Sequence, residues 1–173
     1  AVSGSLIIKE NEEFFNRLVW INSNGKFFYY EKKHLFSLAD EHKTYSHGKE
    51  KIIVQWRGWK ICPLICYDLR FPVWSRNAEN YDLLLYVANW PERRSYAWKQ
   101  LLVARAIENQ CYTIGLNRVG ADGNKINHSG DSSVIDMKGE ILFQKQNEEI
   151  IQTVELSKTD LENYRKEFPV LLD

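Results

Sequence analysis

The sequence predicts an α/β protein in which helices are layered on a mixed sheet. Strand-like and helix-like segments alternate through the middle of the chain, and hairpin-like pairs of strands lie on either side. No repeat, low-complexity tract or linker divides the 173 residues, so we expect a single domain. Apolar residues make up 44% of the chain, which is enough for a sizeable core.

The first part of the chain is typical of strands joined by tight turns. Residues 1–8 are small and apolar, as in a strand. Asn24-Gly25 favours positive φ and separates two aromatic, β-branched segments, which predicts a hairpin, and Arg57-Gly58 separates a second pair. Residues 61–65 are continuously apolar, as in a strand buried on both faces. The four strands after the first are predicted at residues 14–21, 26–31, 51–56 and 59–66.

Helix signals begin after Cys66. Pro72 suits the first turn of a helix over about residues 72–80, Ser95 can cap a helix that ends near Asn109, and Ser157 can cap a last helix. Strands are predicted between and after these helices, at residues 83–87, 112–117, 133–135, 141–144 and 150–154.

The amino-acid composition argues against several classes of protein. Twenty-three basic and twenty-three acidic residues give zero formal charge, which argues against a general binder of nucleic-acid backbones. Three cysteines do not suit a disulfide framework and favour a reducing cytoplasm. The longest apolar runs are too short for a transmembrane helix, and residues 1–8 do not have the pattern of a signal peptide.

Cys66 is the strongest local candidate for chemistry. It ends a buried strand and precedes a turn into a helix, where a helix N-terminus or a cation would favour a thiolate nucleophile. The alternative is an inert, buried cysteine. Lys32 and Lys33 follow another strand. Adjacent lysines usually face water, but one of them could stabilise a thiolate and an oxyanion.

Five motifs, in order along nearly the whole chain, resemble the nitrilase superfamily of carbon–nitrogen hydrolases, and within it the ω-amidase-like branch. They are Lys-Lys-His-Leu-Phe at residues 32–36, Ile-Cys-Tyr-Asp-Leu-Arg-Phe-Pro at 65–72, Asn-Trp-Pro at 89–91, Ala-Arg-Ala-Ile-Glu-Asn-Gln at 104–110 and Asn-Arg-Val-Gly-Ala-Asp-Gly at 117–123.

The resemblance implies a four-layer αββα sandwich, a Glu–Lys–Cys triad and no cofactor or metal. It assigns the nucleophile to Cys66 and the catalytic lysine to Lys32, and the backbone N–H of Tyr67 would help hold the oxyanion. Glu41 is the candidate for an assisting acid. Asn89 is expected at the pocket rim, together with Trp90.

One part of the family pattern is not found. The general-base glutamate normally lies in a Pro-Glu-Met-like motif upstream of the lysine, and no such motif precedes Lys32. We therefore expect residues 1–173 to be one carbon–nitrogen hydrolase domain that lacks its N-terminal third and its final C-terminal residues. Catalysis by these residues alone should be severely impaired.

The implied activity is hydrolysis of a small amide, of the α-keto acid ω-amide type, through a cysteine thioester. Nitrile or N-carbamoyl hydrolysis uses the same triad, and a non-catalytic binding protein could keep the fold. A zinc site drawing on His34, His42, His47, Cys62 and Cys66 is disfavoured by the Cys62/Cys66 spacing. The family also implies a homodimer, with a small-molecule substrate and neither nucleic acid nor membrane as partner.

Several residues near the motifs have two interpretations. Arg70 or Arg118 could bind a substrate carboxylate, or could pair structurally with Asp68, Glu108 or Asp131. Phe71 and Trp90 could be pocket walls or core aromatics. Asp68 suits a helix cap better than an acid catalyst.

Overall fold

The computed structural model describes residues 1–173 and contains two sheets. The first sheet is antiparallel and has three strands, β1 (Val2–Glu10), β2 (Glu13–Ile21) and β3 (Phe27–Glu31). Leu18 at its centre pairs with Ser5 on one side and Tyr30 on the other. Gly25 has φ of 82° in the β2–β3 turn, as the Asn-Gly signal predicted.

The second sheet is mixed, which confirms the predicted fold class. Its strands are β4 (Val54–Trp56), β5 (Trp59–Ile65), β6 (Leu83–Ala88), β7 (Tyr112–Asn117), β8 (Val119–Ala121), β9 (Asn127–Ile135) and β10 (Ile141–Gln146). Three parallel strands, β5, β6 and β7, form its core, and antiparallel strands extend it on both sides in the order β10-β9-β7-β6-β5-β4, with β8 paired to β9.

Four α-helices accompany the sheets: α1 (Glu41–Thr44), α2 (Pro72–Ser75), α3 (Ser95–Asn109) and α4 (Lys158–Glu167). Helix α3 lies close to β7, because a Cβ added to Gly115 would lie 2.4 Å from a methyl carbon of Leu102. The predicted cap of α4 is confirmed, since the side chain of Ser157 accepts from the Asp160 N–H. None of these helices has the length and apolarity that crossing a bilayer requires.

The core joins both sheets to the helices. Leu18 and Tyr30 of the first sheet share a buried cluster with Leu64 of β5 and with Trp98 of α3. A second cluster links Trp20 to strands of the second sheet and to α4. Burial of this apolar surface holds the layers together and fixes the strand ends at which the cavity described below opens.

The predicted helix over residues 72–80 is wrong beyond Ser75. The side chain of Asn77 replaces helical hydrogen bonds: Oδ1 accepts from the Tyr81 N–H at 2.7 Å, and Nδ2 donates to the carbonyls of Tyr81 and Asn109. Its backbone N–H donates to Asn109 Oδ1. Asparagine side chains often compete with helical backbone in this way.

Three further predictions differ from the structure. Ser95 is the first residue of α3 rather than its cap, and its hydroxyl donates to Asp131 at 2.7 Å. Residues 150–154 form no strand, and Ile151 is fully exposed. Strand β9 begins at Asn127, well before the predicted residue 133, because its first residues pair with β8 although they are polar and follow no apolar alternation.

Candidate active site

The carboxyl ends of the three parallel strands meet at one edge of the second sheet. Cys66 follows β5, Asn89 follows β6, and Arg118 follows β7. A cavity of about 520 Å³ opens at this edge, and Cys66 and Asn89 line it. This is where open α/β sheets bind ligands, and the volume suits a small molecule.

Cys66 lies at a sharp turn from strand into helix. It begins a 3₁₀ helix, Cys66–Arg70, and has φ of +44°, a left-handed conformation that is uncommon for a residue with a side chain. Cys66 as a residue is half-buried and lines the cavity, whereas its neighbours on β5 are buried.

Asp68 fixes that turn. Its carboxylate is fully buried and accepts from the Ile65 N–H at 3.1 Å and from the Tyr30 hydroxyl at 2.7 Å. It also accepts from the His34 N–H at 2.9 Å, and the His34 ring lies 2.8 Å away. Asp68 is therefore the third residue of the 3₁₀ helix rather than its N-cap, which is Ile65, and its side chain bonds back to that N-cap. It joins the turn of Cys66 to the segment after β3.

Lys32 forms a buried ion pair with Glu41 at the cavity. The Lys32 side chain is 2% exposed, and its Nζ lies 2.6 Å from Glu41 Oε2. The same oxygen accepts from the Phe36 N–H at 2.6 Å. Both side chains line the cavity together with Cys66. Glu41 thus holds the ammonium in place while the loop after β3 holds Glu41.

The three cysteines differ in environment. Burial raises the pKa of the Cys66 thiol, although the Lys32 ammonium and the Asn89 backbone N–H lower it in part. Burial also raises the pKa of Cys62, and it raises the pKa of Cys111 to about 12. Only Cys66 of the three lines the cavity.

Seven of the eight predicted site residues line this cavity: Cys66, Lys32, Glu41, Tyr67, Arg70, Asn89 and Trp90. Phe71 does not belong to its lining. Its ring stacks on the His34 imidazole with centroids 3.7 Å apart, so Phe71 packs against the histidine that binds Asp68. Trp90 has both roles that were considered for it, since it lines the cavity and is only 3% exposed.

The rim beside Trp90 is held by polar contacts. Asn117 Oδ1 accepts from the Trp90 N–H at 2.7 Å, and Asn117 Nδ2 donates to the carbonyls of Trp90 and Gly130. The Trp90 indole N–H donates to the Arg94 carbonyl at 2.8 Å. The end of β7 therefore positions the loop after β6.

Arg70 lines the cavity and lies over the Trp90 ring, 4.9 Å from its centroid, without an ion pair. The structural pairs considered for Arg70 and Arg118 do not form. Asp68 binds Tyr30 and His34, whereas Glu108 pairs with Arg105 and Asp131 with Lys99. Arg118 is outside the cavity lining and donates to the Ala121 carbonyl.

Three of the lining residues that the sequence did not single out are basic or titratable side chains. Arg94 lies over the Phe36 ring at 5.2 Å, Arg93 lies beside it, and His128 contributes from β9. The pair Arg93-Arg94 directly follows the Asn-Trp-Pro motif, so its position was a signal that could have been used. His128 had no comparable signal. No group of three or more His, Cys, Asp or Glu side chains is placed to hold a metal ion.

Comparison with known proteins decides the family. The model of the carbon-nitrogen hydrolase family matches residues 1–166. The chain belongs to the carbon–nitrogen hydrolase family. It is therefore a hydrolase of carbon–nitrogen bonds other than peptide bonds, and the predicted resemblance to the nitrilase superfamily is confirmed.

Individual relatives agree. This carbon–nitrogen hydrolase is 49% identical to the Omega-amidase YafV of Escherichia coli strain K12, an alignment that covers 99% of this chain and 68% of the relative. It is 36% identical to the 2-oxoglutaramate amidase of Bacillus subtilis strain 168, with 99% and 67% covered. The predicted likeness to the ω-amidase branch is thereby confirmed.

A solved structure confirms the fold. The crystal structure of XC1258 from Xanthomonas campestris, a CN-hydrolase superfamily protein with an arsenic adduct in its active site, superposes with a TM-score of 0.97 at 45% identity. The match covers 99% of this chain and 68% of that one.

Proposed function

We propose that this hydrolase is a thiol amidase of the ω-amidase type, which cleaves the terminal amide of a small α-keto acid amide with Cys66 as nucleophile. The observation that carries the proposal is the cavity thiol of Cys66 beside the buried Lys32–Glu41 pair. The names of the relatives, an omega-amidase and a 2-oxoglutaramate amidase, support the substrate class.

The first half-reaction forms a thioester. A carboxylate base takes the thiol proton while the Cys66 sulfur attacks the amide carbon, and the carbonyl oxygen becomes an oxyanion. The Lys32 ammonium and the Tyr67 backbone N–H stabilise that oxyanion, each by about 3 kcal/mol of barrier. The carbon–nitrogen bond then breaks, and ammonia leaves with the proton held by the acid.

The second half-reaction releases the acid. Water gives a proton to the same base and attacks the thioester carbon, and the carbon–sulfur bond breaks. The sulfur recovers a proton, which restores the thiol. We assign the base to a carboxylate outside residues 1–173, because Glu41 already binds the Lys32 ammonium and the Phe36 N–H. Residues 1–173 would then be part of one larger catalytic domain.

Arg70 is proposed to bind the substrate carboxylate. Its guanidinium lines the cavity, lies over Trp90 and has no acidic partner within the chain. A guanidinium can hold a carboxylate through two parallel hydrogen bonds. Assembly as a homodimer and a cytoplasmic location stay predictions of the family resemblance.

The test is ammonia release by the full-length protein from a panel of amides, with Cys66→Ala as control. We expect turnover of α-keto acid ω-amides, and a hydroxamate product when hydroxylamine replaces water at the thioester. Turnover of nitriles or N-carbamoyl compounds without turnover of any amide would move the activity elsewhere in the superfamily. Turnover of none would favour a binding protein.

A further inference from the structure

His128 is a buried titratable residue to which the proposed reaction gives no role. It lies in β9, it is 4% exposed, and its Nδ1 is buried with no hydrogen-bond partner in the chain. The same side chain lines the cavity that contains Cys66. The ring that carries this unpartnered nitrogen thus forms part of the wall of the space that a substrate would fill.

Most polar groups near His128 in β9 do have partners, although the Ser133 hydroxyl, further along the strand, is also buried without one. The Ser129 hydroxyl donates to Asp131 at 2.6 Å, and Ser132 exchanges hydrogen bonds with the backbone of Asn117. The Gly130 carbonyl accepts from Asn117 Nδ2 at 2.8 Å. A buried polar atom without a partner costs about 1–3 kcal/mol, so such an atom at a cavity calls for a ligand.

The strand connections locate His128 relative to the rest of the cavity. Gly130, two residues further along β9, is joined through Asn117 to Trp90. Asp131 accepts from Ser95, the residue after Arg94. Strand β9 therefore runs beside the segment that carries Trp90 and Arg94, and His128 belongs to this wall of the cavity.

The charges on this wall are mainly positive. Arg70, Arg93 and Arg94 line the cavity and form no ion pairs, whereas Asp122 in the β8–β9 turn, which interacts electrostatically with His128, is an acidic residue of the same lining. Such a wall suits the anionic, oxygen-rich end of a substrate and leaves the amide end for Cys66.

We propose that His128 is a specificity-determining residue whose Nδ1–H donates to an oxygen of the α-keto acid end of the substrate. This inference rests on the proposed function, because it takes the amide end to lie at Cys66. The hydrogen bond satisfies the buried nitrogen only when a substrate that bears such an oxygen is present, so it discriminates against plain amides.

The kinetic test compares an α-keto acid ω-amide with a neutral amide of equal length, in the full-length protein. His128→Phe keeps a ring but has no nitrogen, and we expect it to lower the ratio of kcat/KM for the acid over the neutral amide by about 10–100-fold. His128→Asn places an amide nitrogen near the Nδ1 position and should keep the ratio within about threefold of wild type. His42→Phe, at an exposed histidine outside the cavity, is the control and should not change the ratio.

A binding measurement separates this proposal from the proposed function. In a Cys66→Ala background, 2-oxoglutarate is titrated by calorimetry, and the ring nitrogens of histidine are followed by NMR. We expect His128→Phe to weaken binding by about 10-fold or more, and the ligand to move the His128 nitrogen shift. If the wild type hydrolyses no amide, the proposed amidase function is wrong. The binding result still decides whether His128 recognises the α-keto acid end.

Two results would overturn the proposal. One is a His128→Phe variant that stays folded by its thermal midpoint and keeps both the wild-type substrate ratio and the wild-type affinity for 2-oxoglutarate. The other is a His128→Asn variant that loses as much selectivity as His128→Phe, because a purely steric role would produce that pattern.

Discussion

The two walls of the cavity differ in how completely their polar groups are satisfied. On the wall of Cys66, the Asp68 carboxylate has four nitrogen or oxygen partners, and Lys32 and Glu41 are paired at 2.6 Å. On the wall of Trp90 and His128, the guanidinium of Arg70 only covers the Trp90 ring, and His128 Nδ1 has no partner.

This difference indicates which wall supports catalysis and which wall recognises the substrate. A satisfied network holds a nucleophile in one geometry, because each displacement would break several buried hydrogen bonds. Unsatisfied groups at a cavity keep their hydrogen-bonding capacity for a ligand. The first wall should therefore control kcat and stability, and the second should control selectivity.

The largest expected effect is at the nucleophile. Cys66→Ala should lower ammonia release by about 10⁴-fold or more, because no other cysteine reaches the cavity. Cys62→Ala, four residues earlier on the buried strand, should keep activity within about threefold and cost about 1 kcal/mol of unfolding free energy. Substantial turnover by Cys66→Ala would remove the chemistry from the first wall.

Lys32→Met should lower kcat by about 10²–10³-fold, because methionine has a length and volume similar to those of lysine but cannot donate a hydrogen bond to the oxyanion. Lys33→Met is the matched control, since the Lys33 ammonium lies over the Trp74 ring and outside the cavity. A Lys32→Met enzyme with normal kcat and a raised KM would instead place Lys32 among the recognition groups.

The pH dependence of Cys66 alkylation sharpens the role of Lys32. Burial raises the pKa of this thiol, so the thiolate fraction and the iodoacetamide rate should keep rising as pH passes the ordinary cysteine range near 8.5. Lys32 lowers that pKa, so Lys32→Met should move the profile to still higher pH. A rate that levels off below pH 8 would show a thiolate at rest and contradict this.

Asp68→Asn tests whether the first wall is a structural unit. The asparagine amide keeps the shape of the carboxylate, but its NH₂ group would face the N–H and O–H donors that bind Asp68. We therefore expect the free energy of unfolding in urea to fall by about 2–4 kcal/mol and kcat to fall as well. Asp160→Asn, at an exposed position in α4, should leave the unfolding free energy nearly unchanged. Equal stability of the two variants would mean that the turn of Cys66 does not depend on Asp68.

The smallest effect is expected at Arg70. Arg70→Gln should raise KM for an α-keto acid amide by about tenfold, with little change in kcat, because the guanidinium would act on the carboxylate and not on the reacting carbon. Arg118→Gln, outside the cavity lining, should change neither. Equal KM increases for charged and neutral amides would exclude carboxylate recognition by Arg70.

The sequence predicted those parts of the fold that local patterns specify. Strands β2, β3, β5, β6 and β7 carry apolar, β-branched or aromatic runs between turn residues, and α3 ends at Asn109 as predicted. Non-local contacts caused the errors. Asn77 ends α2 through bonds to Asn109, which is 32 residues away and could not be paired with it from the sequence.

The candidate site also has residues that the sequence located and residues that only the fold revealed. Cys66 and Lys32 lie in contiguous motifs, so family resemblance located them, and the structure places both at one cavity. His128 lies in the polar stretch of residues 128–131, which is buried in the folded chain but resembles a loop in sequence. Its contribution depends on pairing with β8, which only the folded chain reveals.

The positive φ of Cys66 has a consequence for the evolution of the chain. Glycine populates that conformation at no steric cost, so folding alone would favour glycine at position 66. A cysteine there means that the protein gives up some conformational stability at this residue in return for a sulfur atom. Of the two inactive variants, Cys66→Gly should therefore have a higher thermal unfolding midpoint than Cys66→Ala.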